Sequence, residues 1–333
     1  MQVFRGFHHP AIAPACALTI GNFDGVHRGH QAMLALLRSE AQHRGLPSCV
    51  LTFEPHPRDH FAKLAGKPEL APARIATLRD KLAELERCGI DQTVVLKFDS
   101  RLARLSARDF VEQVLVKGLG ARYVLVGDDF RFGAQRQGDY ATLDALGTQL
   151  GFDVARMMSY EVHGLRVSSS AVREALGAGL MDRASALLGR PYAVTGHVLH
   201  GLKLGRTLGS GFRTLNLRFS HPKPAARGIF VVQVEGLGPT PLPGVASLGS
   251  RPTVDDSGRM LLEVHCLEWP ASLGPEGGYG RLARVELLHK LRDEARFEGL
   301  DSLTAAIAAD VAAARAWFDG HAAERRQTTR DRI

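Results

Sequence analysis

Four cysteines in 333 residues, at positions 16, 49, 88 and 266, form no C-x-x-C pair. Their spacing supports neither a zinc knuckle nor a disulfide framework, so reduced, buried thiols are expected. No run of 18 uninterrupted apolar residues occurs, and the opening MQVFRGFHHP has no apolar h-region. A membrane span and an export signal find no support, and the cytoplasm is the expected location. Aromatic residues make up 7% and are not interleaved with basic clusters. No RNA-recognition signature is seen either, so the net charge of +7 suits phosphate-bearing substrates better than it suits a basic RNA-binding protein. G-x-x-x-x-G-K-[ST] and G-x-G-x-x-G are both missing, and GLKLGRT from Gly201 has one residue too few between its glycines. If this chain holds a phosphate, it does so by other means.

What is present is a globular composition, 45% hydrophobic and 23% charged, with length for two domains and no fixed-period repeat. From residue 15 to about 160, β-rich apolar runs (CALTI, CVLTF, QTVVLKF, YVLVG) alternate with helix-period stretches (QAMLALLRSEAQHRG, TLRDKLAELERCG, ARDFVEQVLVKGLG, DYATLDALGTQLG). This βαβα rhythm predicts a parallel sheet covered on both faces, with ligands beyond the carboxyl ends of the strands. A further helix is expected from Ser170 to about Leu188. Beyond it, YAVTGHVL, GIFVVQVEG, PGVASLG, LLEVHCLEW and RLARVELLHKL read as short strands without helices between them, an antiparallel barrel or sandwich. A closing helix carries Leu303, Ile307, Val311 and Ala314 on one face, with Asp301 or Ser302 to cap it and a polar, frayed tail after Phe318.

The strand-to-helix turn GNFDGVHRGHQ is the strongest chemical signal. Gly21 and Gly25 let the backbone approach a ligand, Asn22 and Asp24 lie between and beside them, and the following helix points free N–H groups at the turn. His27 and His30, three apart on that helix, are placed to donate to two oxygens of a polyphosphate. The rivals are a capped turn with incidental histidines, or a metal pair that lacks a third ligand nearby in sequence. A second helix start, Ser169 and Ser170 followed by Arg173, suits phosphate for the same reasons, against a plain serine cap. In FEPHPRDH, Pro57 argues against an H-x-x-x-H zinc helix, and the stretch reads as a loop. Along LLEVHCLEW, Leu262, Val264 and Cys266 share one face and Glu263 and His265 the other.

GNFDGVHRGHQ, TFEPHPRD, VGDDFRFG followed by RQGD, and VSSSAVREAL resemble, in order and spacing, the motifs of the bacterial bifunctional riboflavin kinase/FMN adenylyltransferase (FAD synthetase) family. The resemblance covers nearly the whole chain. It implies a Rossmann-like nucleotidylyltransferase domain over residues 1–186 and an antiparallel β-barrel flavokinase domain with a terminal helix over 187–333. It also implies that His27 and His30 hold ATP phosphates, and that Ser169, Ser170 (threonine in the family) and Arg173 grip the triphosphate. Asp129, Phe130 and Phe132 fall on the flavin and nucleotide side, and the FEPHPRDH loop beside the flavin. GHVLHGLKLGRTLGSGFRTLNL resembles the flavokinase segment ending G-F-P-T-A-N-L, which places Lys203 and Gly205 at the nucleotide and Thr214 and Asn216 at the phosphates and Mg²⁺. Arg213 and Leu215 replace proline and alanine there, and Ser210-Gly211 is an extension. Glu263 matches the family's catalytic base, and Ser247 stands where the family has asparagine. The implied substrates are ATP, riboflavin and FMN, with Mg²⁺ as cofactor and neither nucleic acid nor membrane as partner. An adenylyltransferase with a silenced kinase domain is the alternative.

Overall fold

The structure, a computed structural model, describes residues 1–158, 160–162, 165–199, 214–219, 223–250, 260–274 and 277–330. The chain divides into two compact units, Met1–Pro72 with Leu78–Ser169, and Ala73–Thr77 with Ser170–Ile333.

The first unit holds a six-stranded sheet, all parallel: β1 Gln2–Arg5, β2 Cys16–Ile20, β3 Ser48–Glu54, β4 Gln92–Lys97, β5 Ala121–Gly127 and β6 Asp153–Met157, in the order β1-β4-β3-β2-β5-β6. β2 is buried at every position because helices cover both faces, as its unbroken apolar run predicts. Cys16, Leu18 and Ile20 pack with Val111, Val114 and Leu115 on one side, while Ala17 packs with Leu34, Leu37 and Ala41 of α1 (Arg28–His43) on the other. Strand order runs outward from β2 through β3 and β4 in one direction and through β5 and β6 in the other. The pair β2 and β5 therefore marks the switch point, where such sheets open a crevice at their carboxyl ends.

Several sequence expectations are corrected in this unit. FEPHPRDH is not a loop: α2 spans Pro57–Leu64, with His56 as N-cap accepting from Arg58 N–H at 3.1 Å and Pro57 at the first helical position. Proline is unfavourable inside a helix but suits its first turn, where its missing N–H has no partner to lose. β1 and β6, both short edge strands, escape the apolar-run criterion. The remaining helices are α3 Leu78–Arg87, α4 Ser100–Ala103, α5 Ala107–Asp109 continued by a π-helical segment Phe110–Gly118, and α6 Tyr140–Leu150; a two-residue ladder joins β7 Glu161–Val162 to β8 Leu165–Arg166.

In the second unit the expected helix from Ser170 to Leu188 is two helices, α7 Ser169–Gly177 and α8 Met181–Leu188, broken where Gly179 takes φ +73°. β9 Tyr192–Leu199, β10 Thr214–Arg218, β11 Gly228–Glu235, β12 Leu242–Ser250, β13 Met260–Cys266 and β14 Leu282–Arg292 close an antiparallel barrel in the order β10-β13-β12-β11-β14-β9. β13 alternates buried and half-buried residues along its whole length, the pattern of a strand with one face inside. α9, Leu300–Arg330, lies on the outer face, its Ala314, Val311, Trp317 and Phe318 packing on Ile229, Val231 and Val245. It begins before the expected cap, so Asp301 sits in its first turn and Ser302 Oγ donates to Gly299 O at 2.9 Å instead of capping. The segment after Phe318, expected to fray, is helical as far as Arg330; Ala, Glu, Gln and Arg are good helix formers.

All four cysteines are free. Cys16, Cys49 and Cys266 are buried and Cys88 half-buried. Hydrogen bonding with Cys16, then burial, pushes the Cys49 thiol well up, and burial pushes Cys266 up to about 12, which makes both poor nucleophiles.

Candidate functional sites at a sheet edge and on a barrel face

The turn between β2 and α1 is tightly wound. Gly21 N–H donates to Leu51 O (3.0 Å), Val26 N–H to Phe23 O (3.3 Å), and Thr52 Oγ1 to Asn22 O (3.3 Å). Phe23 (φ +47°) and Val26 (φ +40°) are held in the left-handed region, which a β-branched residue adopts only under constraint. Both side chains are buried, and that burial offsets the strain. The turn is thereby fixed rather than pliant. Asn22 Oδ1 is buried with no hydrogen-bond partner among the described residues, an acceptor that costs stability until a donor reaches it.

His27 is the N-cap of α1 and is 5% exposed. Its Nδ1 accepts from His30 N–H (3.3 Å), so in the neutral ring the proton resides on Nε2, which is then the donor nitrogen. The two imidazoles stack, centroids 3.7 Å apart at 15°, and Phe23 backs His30 at 4.9 Å. Gly29 leaves room for this: a Cβ there would meet the His27 ring at 3.3 Å and Val167 O at 3.4 Å, tighter than ordinary contact. Ser169 Oγ donates to Asp24 O (3.2 Å), which ties the start of α7 to the glycine turn across 145 positions of chain. The first site therefore gathers Gly21, Asn22, Asp24, Gly25, His27, His30 and Ser169. Ser170 and Arg173 belong to the second unit, where Arg173 Nε donates to Ala73 O at 2.7 Å.

Asp128 and Asp129 follow β5 at the same carboxyl edge, and Arg166 lies 3.5 Å from Asp128 and 3.8 Å from Asp129. Asp129 is largely exposed. Phe132 is core, stacked on Phe130 (5.4 Å) and tilted against Phe110 (5.9 Å). Two residues that the sequence did not single out support the turn from behind. Lys81 is buried, with Nζ 3.4 Å from Thr52 Oγ1, and Thr52 in turn holds Asn22 O. The signal was available: Lys81 lies one turn before the buried Leu85, on the apolar stripe of α3.

On the barrel, strand register does the assembling. Asn216 of β10 pairs with Glu263 of β13, and Glu263 pairs with Ser247 of β12, so three strands set a row of polar side chains on the outer face. Paired positions of this kind stand about 5 Å apart. Thr214 joins the row two residues along β10, opposite His265. Asn216 is buried, and Glu263 and Ser247 half-buried. The alternation that put Glu263 opposite Leu262, Val264 and Cys266 holds: those three face inward. Lys203, Gly205, Ser210, Gly211, Arg213 and Arg251 lie outside the described residues.

A family model described as FAD synthetase matches residues 9–171, and one described as riboflavin kinase matches residues 188–318. The bifunctional riboflavin kinase/FMN adenylyltransferase of Escherichia coli (strain K12) is 45% identical over 320 residues, covering 96% of this chain and 98% of that protein. The chain belongs to this family. Its relative in Pseudomonas fluorescens is 47% identical over 319 residues, 95% of this chain and 97% of that protein, and the one in Haemophilus influenzae is 42% identical over 320 residues, 96% of this chain and all of that protein. A crystal structure described as a macrolide-efflux protein from Streptococcus pneumoniae superposes with a TM-score of 0.73 at 27% identity, over 95% of this chain and 99% of that one. Among the described residues no helix here is long and apolar enough to cross a membrane. The family's two domains correspond to the α/β and barrel architectures above, and each contains one of the two polar clusters.

Proposed function

We propose that the barrel phosphorylates riboflavin to FMN and that the sheet edge then adenylylates FMN to FAD, both steps drawing on ATP. The observation that carries this reading is the register row on the barrel, in which the carboxylate of Glu263 stands directly opposite Asn216. Glu263 accepts the proton of the ribityl 5′-hydroxyl as that oxygen attacks the γ-phosphorus, the bond to the bridging oxygen breaks, and ADP leaves. Thr214 and Asn216 hold the phosphates beside it.

The same row fits a hard divalent cation. A hydroxyl from Thr214 and an amide oxygen from Asn216 are suitable donors for Mg²⁺, and among the described residues no cluster of three or more His, Cys, Asp or Glu offers a full protein cage. Such an ion, completed by phosphate oxygens, would supply charge neutralisation at the transferring group.

At the sheet edge no protein nucleophile is needed. A phosphate oxygen of FMN attacks the α-phosphorus of ATP, the α–β bridge breaks, and the negative charge moves onto pyrophosphate. His27 Nε2–H, His30 and the N-terminal N–H groups of α1 donate to the β- and γ-phosphates as that charge grows. Asn22, Asp24, Gly21 and Gly25 shape the cradle with Ser169, and Asp129 and Phe130 lie toward the flavin with the buried Phe132 stacked behind Phe130. Lys203 and Gly205, outside the described residues, are assigned to the kinase nucleotide by the family resemblance alone. The reaction belongs in the cytoplasm, where ATP is abundant.

One chromatographic time course from riboflavin and Mg-ATP tests both halves. FMN rising first and FAD following is the expected result. FAD formed only from supplied FMN would leave the barrel without its assigned chemistry.

A further inference from the structure

Two residues beyond Ser247, on the same outer face of β12, stands Gly249, opposite Leu261. A Cβ at this position would fall directly on the carboxylate of Glu294, which follows β14. Gly249 has no left-handed φ, so its glycine serves room and not torsion. The Glu294 carboxylate rests on bare strand backbone, in space that any other side chain at 249 would fill.

The segment bearing Glu294 is anchored at its root. Arg292 donates through Nε and Nη2 to the two carboxylate oxygens of Asp310 on α9 (2.9 and 2.7 Å) and through Nη1 to Asp293 O (3.0 Å). Its guanidinium also lies 5.8 Å from the Phe297 ring. Asp310 is buried, so this pair is a fixed post two residues before Glu294. Burial raises the Glu294 pKa, with the charge of Arg227 opposing. The residue is exposed, and among the described residues its carboxylate makes no hydrogen bond or ion pair, so its acceptor sites are open to a ligand's hydroxyls.

Two residues of strand, about 7 Å, separate its seat from the Ser247–Glu263 pair. That interval matches a short polyol whose far hydroxyl meets Glu263. We propose that Glu294 binds the secondary ribityl hydroxyls of riboflavin and sets flavin specificity in the kinase step; this rests on the reading of Glu263 as the base of that step. The carboxylate accepts hydrogen bonds from the 2′- to 4′-hydroxyls, which holds the 5′-hydroxyl at Glu263.

The test uses the full chain and two flavins: riboflavin, and its 10-(5-hydroxypentyl) analogue, which keeps the ring and the terminal hydroxyl but lacks the three secondary ones. Glu294→Ala is expected to raise KM for riboflavin about tenfold, with kcat and KM for ATP little changed. Glu294→Gln recovers part of the loss. Gly249→Ala, whose new methyl displaces the carboxylate, reproduces the Glu294→Ala phenotype. The wild type loses a similar factor on the analogue, and Glu294→Ala loses nothing more on it. Adenylylation of supplied FMN stays at the wild-type rate in every variant, which shows that the α/β unit has folded, and the retained kcat with riboflavin and KM for ATP show the same of the barrel. An unchanged riboflavin KM in Glu294→Ala overturns the proposal, as do losses that multiply on the analogue. A wild type that makes no FMN at all overturns it together with the kinase reading, and is distinguishable from both.

Discussion

At the carboxyl edge of β2, six of the seven residues gathered at the first site lie within ten positions, Gly21 to His30, and only Ser169 comes from afar. On the barrel, Asn216, Ser247 and Glu263 come from three strands and meet only because the ladders align them. The first cluster is built from torsions, a helix end and two stacked rings. Its geometry is local, and a single substitution can alter it without moving the rest of the sheet. The second is built from register, and in a strand a slip of one residue sends every side chain to the other face. Closure of the barrel is what fixes it. The one chain thus uses two routes to a phosphate site, one short-range and strained, the other long-range and regular.

That contrast can be broken most decisively at Glu263. Glu263→Gln should lower FMN formation by about 10³-fold while FAD formation from supplied FMN continues, read from the two product peaks in one chromatogram. His30→Ala should do the reverse, lowering FAD formation by about 10²-fold and sparing FMN. A parallel fall in both products in either variant would show that the two clusters are not independent.

Smaller effects sharpen the difference between local and register-based assembly. Asp310→Ala leaves Arg292 without its carboxylate and should cost the barrel about 2 kcal/mol, seen as an earlier thermal transition for riboflavin kinase activity, with residual adenylyltransferase activity after heating unchanged. The smallest change expected is in the stability of His27→Asn. Asparagine is a good N-cap, so stability should stay within about 0.5 kcal/mol by urea unfolding, yet FAD formation should fall as it does for His30→Ala. If His27→Asn were fully active, the imidazole would be a cap and nothing more.

The same division explains how much could be read in advance. The alternation of apolar runs and helix-period stretches carries the parallel sheet, and the glycine turn with its histidines is contiguous, so both are legible along the sequence. Glu263 was legible as a face, because β13 alternates, but not as a partner of Asn216: which strands neighbour one another is decided by closure. β1 and β6 were hidden by being short and half-exposed, and β10 by lying inside a motif read for its chemistry. Pro57 misled because the rule against proline holds in helix interiors and not at the first turn. The break at Gly179 and the early start of α9 are matters of one or two residues, the scale at which tertiary packing overrides local preference. Lys81 was passed over although a charged residue on an apolar stripe is itself a signal.

The barrel is closed, so each of its ladders ends on another of its own strands. The parallel sheet is open, and among the described residues β1 and β6 have no further strand paired at its two margins. Both are short, four and five residues, and both carry charge, Arg5 on one and Asp153 and Arg156 on the other. Charged, abbreviated margins discourage strand-to-strand association between molecules. In a crowded or heated solution the first aggregates should therefore nucleate from the α/β half, and replacing Arg5 or Arg156 with valine should hasten turbidity without touching either site.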